Sequence, residues 1–113
     1  MSNSSQSGAN AMGTGQACTG AARIIKALAS PARLCLAEML RGGPRSVGWL
    51  ARRVGLHVST ASQHLAALHA AGLTHREKSA QSVSYELLPL ARQLLDETER
   101  LVGCVTNRPK GRE

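Results

Sequence analysis

Ser59, Thr60, Ser62, Gln63 and His64 set five hydrogen-bonding side chains within six positions. Ala61, Leu65 and Leu68 interleave with them at helical spacing. The pattern is the leading end of an amphipathic helix tipped with hydroxyl, amide and imidazole groups. Such an end favours anions through its dipole and its free N–H groups. Side chains of these types can reach base edges in the major groove of DNA. Gln63 can pair with adenine through two hydrogen bonds, and a Ser or Thr hydroxyl with several acceptors. Arg52 and Arg53 come just before this stretch, and Arg76 and Lys78 just after it. They would meet phosphates on either side.

The overall charge agrees with a polyanion partner. The chain has 113 residues and a formal charge of +7. Residues 41–78 hold six Lys and Arg against Glu77 alone, together with all four histidines, whereas residues 79–113 sum to zero. Concentrated positive charge of this kind is an electrostatic footprint of nucleic-acid binding. The bland alternative is a solvated basic surface.

The remaining reactive side chains are Cys18, Cys35 and Cys104. An odd, scattered set argues against a secreted disulfide scaffold and for a reducing cytosol. No paired catalytic carboxylates, no nucleophile beside a base and no phosphate-cradling Gly loop stand out, so an enzyme is not expected. His57, His64, His69 and His75 contain no i,i+4 pair, so no metal site is expected from them. No apolar run is long enough for a membrane span. The first sixteen residues lack the basic and apolar regions of a signal peptide, so a cytoplasmic location is expected.

These groups need a scaffold. The length allows one domain. Hydrophobic residues make up 42% of the chain and aromatics only 2%, which favours a small helical core over a β-sandwich. Residues 1–16 are rich in Ser, Gly, Asn and Gln and are expected to be a disordered tail. Ala17, Ala21, Ile24, Ile25 and Leu28 predict a first helix over 17–29. Ser30-Pro31 starts a second, over 31–41, which stops at Gly42-Gly43-Pro44. Ser46 caps a third, over 47–54, ended by Gly55, and a fourth begins near Val58 and ends at Gly72. Leu73–Lys78 and Ser82–Leu87 predict a β-hairpin with its tip at Lys78–Gln81. A last helix over 88–105 carries Leu90, Ala91, Leu94, Leu95, Leu101, Val102 and Val105 on one stripe. The domain is thus expected to cover 17–105, with a polar tail at 106–113. Its third and fourth helices, joined by a tight turn, make a helix–turn–helix unit.

With those residues in place, the stretch over 27–89 resembles the ArsR/SmtB family of winged helix–turn–helix transcriptional repressors. The resemblance rests on ALASPARL (27–34), LARRVGL (50–56), STASQHLAALHAAGL (59–73) and VSYEL (83–87), in that order and without insertion. It implies a mainly α fold with a small β-hairpin, ordered helix, helix, helix, helix, strand, strand, helix. It also implies a homodimer, paired through helices 17–29 and 88–105, that binds a two-fold symmetric double-stranded DNA operator and is released by a chemical signal. Four positions depart from the family. Ala80 and Gln81 stand at the wing tip, His57 replaces a Ser cap, and Trp49 occupies a site that is usually acidic. Trp49 reads either as half-buried packing or as part of a sensing site.

The family's two common metal sites are not intact here. The thiolate pair falls on Ser46 and Gly48, and the last helix offers Asp96, Glu97 and Glu99 without a His. A redox-sensing branch uses one cysteine on the second helix and one near the end of the last. Cys104 matches the second position, and Cys35 lies about one turn before the first, which Glu38 holds. Three readings of the cysteines stay open: a thiol redox switch at Cys35 and Cys104, a soft-metal or metalloid site using Cys18, Cys35 and Cys104, or Cys35 as a small core hydrophobe. No cofactor is expected beyond such a metal. A DNA binder of architectural type, without an inducer, is a further alternative.

Overall fold

In a computed structural model the backbone is described for residues 2–106 and the side chains for 15–102. Five helices and a three-stranded sheet follow one another. They are α1 (Ser2–Leu28), α2 (Pro31–Met39), a 3-10 turn (Leu40–Gly42), β1 (Arg45–Ser46), α3 (Val47–Val54), α4 (Val58–Ala70), β2 (Thr74–Lys78), β3 (Val83–Leu87) and α5 (Pro89–Thr106). No described helix is long and apolar enough to cross a membrane.

The helix boundaries follow from local chemistry. The Ser30 hydroxyl accepts a bond from the Arg33 amide at 3.4 Å, and Pro31 fills the first helical position. The Ser46 hydroxyl accepts from the Trp49 amide at 3.1 Å and starts α3. Gly55, at φ 79°, ends α3 in the left-handed region, where any Cβ would be strained. α4 starts differently. Its cap is His57, whose side chain makes no capping bond. A His thus stands here without the capping bond that a Ser would offer.

α3 and α4 turn Leu50, Ala51, Ala61, Leu65 and Leu68 inward. Leu36, Ala37 and Leu40 meet them from α2 and its 3-10 turn, and Tyr85, Leu87, Ala91 and Leu95 close the core from β3 and α5. β3 lies at the centre of the sheet. It pairs antiparallel with β2, Arg76 opposite Tyr85, and with β1, Arg45 opposite Tyr85.

Several expectations need correction. The backbone of α1 is helical from Ser2, where a disordered tail was expected over 1–16. No Pro interrupts residues 2–28, and extending a nucleated helix costs far less than starting one. β1 was not expected: two residues are too few to show alternation, and only β3 defines them as a strand. The second helix tightens into a 3-10 turn at Leu40 instead of running to 41. The stripe on α5 splits. Ala91 and Leu95 are buried, but Leu90 and Leu101 on its edge are 79% and 58% exposed. α5 extends to Thr106, and the rest of the expected polar tail lies outside the described residues.

The bare cap of α4 gives a test. His57→Ser should supply the missing acceptor and raise stability by about 1 kcal/mol, read as a higher urea midpoint at unchanged m-value. No gain would mean that the first amides of α4 are already satisfied.

Candidate nucleic-acid interface

Burial of one side of α4 decides what its other side offers. Ala61, Leu65 and Leu68 are fully buried, so Ser59, Ser62 and Gln63 project outward on the opposite side of the helix, and all three are exposed. Thr60 and His64 sit on the flank and are half-buried. The structure therefore brings all five onto one helix but presents three of them most openly. The first turn of α4 contains no acidic residue. Ser59, Thr60, Ser62, Gln63 and His64 make no side-chain hydrogen bond to other described residues.

The expected cations surround this end. Arg52 and Arg53 are exposed in the last turn of α3, and Arg76 and Lys78 are exposed along β2. None of the four pairs with a carboxylate among the described residues. β2 keeps only Thr74 buried, so the strand stands out from the body as a wing. Its tip is a tight turn in which the Ser79 amide donates to the Ser82 carbonyl at 2.9 Å. Gln81 and Ser82 of the wing approach Ser46, Gly48, Val58 and Ser62 across a cleft of about 390 Å³. The surface thus combines uncommitted hydrogen-bonding tips, the positive end of a helix and free guanidinium and ammonium groups. That combination complements a polyanion with readable edges.

His69 and His75 are engaged elsewhere. His69 Nδ1 lies 3.1 Å from the Thr74 carbonyl, joining the end of α4 to β2, and His75 pairs with Glu77 at 3.4 Å.

A second feature lies on the other side of the domain. Cys35 is exposed, which corrects the reading of it as a small core hydrophobe. Leu36 and Ala37 take the buried positions of α2 instead. Cys35 lines an apolar groove of about 340 Å³ between α2 and α5, with Leu34, Met39, Leu95, Thr98 and Val102. Glu38 and Glu99 stand at the same groove. Arg41 ties its two walls together. Its guanidinium donates to Glu38 at 2.6 Å on α2 and to Asp96 at 2.5 Å on α5. The bonds to Glu38 and Asp96 hold the Arg41 pKa above the ordinary arginine value. Arg92 Nη1 adds a bond to the Arg41 carbonyl at 2.9 Å. Cys18 is exposed on α1. Cys104 belongs to the α5 backbone, but its side chain lies outside the described residues. Among the described residues, no three His, Cys, Asp or Glu side chains converge to hold a metal ion.

Sequence reasoning missed Arg45. Its guanidinium lies 4.5 Å from the centre of the Trp49 ring, and Arg53 lies 5.1 Å from the same ring. Trp49 is half-buried and packs against the core. The arginine at 45, the aromatic at 49 and the arginine at 53 recur every four residues, which was the available signal.

A helix pair with an exposed second helix, followed by a two-stranded wing, defines a winged helix–turn–helix DNA-binding protein. Comparison with known proteins agrees. The family model described as a helix-turn-helix domain matches residues 28–77. The chain is 38% identical over 85 residues to the HTH-type transcriptional regulator YgaV of Escherichia coli, covering 74% of this chain and 86% of that protein. It is similar in structure to reduced HlyU from Vibrio cholerae, with a TM-score of 0.69 and 35% identity over 78% of this chain and 94% of the other. A homodimeric winged helix-turn-helix domain from Mycobacterium bovis, described as a possible ArsR-family regulator, shares the fold, with a TM-score of 0.79 at 24% identity over 86% of this chain and 91% of the other. The chain belongs to the HTH-type transcriptional regulators, as which its relatives are named, and its winged helix–turn–helix fold agrees with the ArsR/SmtB resemblance of its sequence. It is a DNA-binding regulator, and the relatives it matches are named as regulators, not enzymes.

Proposed function

We propose that the chain acts as a homodimeric repressor on a two-fold symmetric operator in the cytoplasm, and that thiol chemistry releases it. The observation that carries the DNA-reading half is the outward face of α4. Ser59, Ser62 and Gln63 are exposed with no acid in the helix's first turn. In this reading they contact base edges, with Thr60 and His64 on the flank. Arg52, Arg53, Arg76 and Lys78 hold phosphates.

Dimerisation is supported by exposed apolar side chains on the first and last helices. Ile25 is 67% exposed on α1, and Leu90, Leu101 and Val102 are exposed on α5. A shallow apolar groove of about 210 Å³ joins the two helices beside Ile25, Leu28 and Leu94. Apolar area of this kind gains free energy when covered, by about 25 cal/mol per Å². A second copy of the same helices covers it symmetrically and sets two α4 helices one helical turn of DNA apart.

The release step rests on the exposed Cys35 at the groove between α2 and α5. Oxidation of the Cys35 and Cys104 thiols to a disulfide gives two protons and two electrons to an oxidant such as a diazene or a persulfide donor. A new link between α2 and α5 shifts the dimer helices and so the spacing of the two α4 helices.

Gln63→Ala should cost about 1–3 kcal/mol at one base pair and relax preference there. Equal loss on every sequence would remove Gln63 from base reading. Lys78→Ala should weaken all duplexes alike and flatten the salt dependence. Competition of specific against random duplex separates a repressor from an architectural binder. For the sensing half, diamide should release the wild-type protein from its selected operator. Cys35→Ser should bind that operator normally and ignore diamide. Release of Cys35→Ser by diamide would move the switch elsewhere. Release by As(III) or Zn(II) alone would favour a metal or metalloid site at Cys18, Cys35 and Cys104.

A further inference from the structure

Trp49 is the only tryptophan of the chain. It is half-buried on α3 and packs at the margin of the core, beside the fully buried Leu50 and Ala51. Two guanidiniums lie over its ring, Arg45 at 4.5 Å and Arg53 at 5.1 Å. Arginine over an indole face is attracted by the ring's quadrupole while its N–H groups stay free in the guanidinium plane. Neither Arg45 nor Arg53 pairs with a carboxylate or forms a side-chain hydrogen bond among the described residues. Arg45 Nε is buried and without a partner. Two uncompensated positive charges are therefore held close together, against their mutual repulsion, by one aromatic ring.

Their place in the fold gives this a use. Arg45 belongs to β1, which pairs with β3 at the base of the wing, and Arg53 to the last turn of α3. α3 is the first helix of the helix–turn–helix, the one that crosses over the DNA backbone in this motif. The planar fork of N–H donors on an arginine is suited to a phosphate. Stacking removes much of the side-chain freedom that phosphate binding would otherwise have to restrict.

We propose that Trp49 is a positioning residue that holds Arg45 and Arg53 as a fixed pair of phosphate-binding cations, with Arg45 a DNA-backbone contact in its own right. The proposal rests on the chain's binding to duplex DNA and adds a grip on the backbone beyond α4 and the wing. It also accounts for the aromatic residue at position 49. A carboxylate there would neutralise the two arginines, whereas an indole orders them and leaves their charge available.

The test uses the full chain with two duplexes, one random in sequence and one selected by the protein from a random pool. Binding is followed by anisotropy of the labelled duplex across a salt titration. Arg45→Ala should weaken both duplexes by the same factor and reduce the slope of log K against log salt by about 0.9, the value for one phosphate contact. Trp49→Ala should weaken binding several-fold while keeping the slope, because both cations remain. Trp49→Tyr should restore the affinity. Emission of Trp49 in the wild-type protein should change on adding duplex, with the same midpoint as binding. An unchanged slope in Arg45→Ala, with or without a fall in thermal stability, overturns the proposal and leaves DNA binding intact. So does a Trp49 emission that ignores the duplex. A wild-type protein that binds neither duplex would instead overturn the DNA-binding reading itself.

Discussion

Everything presented to solvent on α4 depends on three side chains that solvent never meets. Ala61, Leu65 and Leu68 are fully buried against α2 and α3. Burying a leucine contributes about 1.5–3 kcal/mol. Rotating α4 by one residue, about 100°, would expose this stripe and drive polar side chains inward. The rotational setting of the helix is therefore held by several kcal/mol. That setting alone determines that Ser59, Ser62 and Gln63 face outward together. The recognition surface needs no special arrangement of its own, because it is the complement of the core.

The same logic links the two halves of the domain. α5 is anchored by Ala91 and Leu95, which are buried, and by Arg41, which reaches from the end of α2 to Asp96. Exposed ion pairs contribute little singly. Arg41 is only 25% exposed and gathers Glu38, Asp96 and, at 3.8 Å, Glu99. It fixes the separation of α2 and α5 at the groove where Cys35 is exposed. α2 in turn packs directly on α3 and α4. A change at that groove has a short, continuous route of packed side chains to α4 and its exposed face.

Much of this was legible in the sequence, for a definable reason. α3 carries a local signal at each boundary, Ser46 and Gly55, and α4 shows an apolar stripe of period 3.6 although its cap is bare. The wing shows alternation at Val83, Tyr85 and Leu87. Features fixed by distant partners were not legible. β1 is a strand only because Tyr85 and Ser84 lie beside it. The stacking of Arg45 on Trp49 joins a strand to a helix, and only its four-residue spacing hinted at it. Cys35 stood at the edge of a helical stripe, and only the docking of α5 places it at a groove instead of in the core. Leu90 and Leu101 share the apolar stripe of α5 but extend past the area the core can cover. That leaves the surface that a second copy would occupy.

The most direct test is amide-shift mapping of the isotope-labelled protein titrated with a duplex it has selected from a random pool. The account requires the largest perturbations over residues 58–64, with a second group along β2 and its turn. Perturbations confined to α1 and α5, with residues 58–64 unmoved, would contradict it.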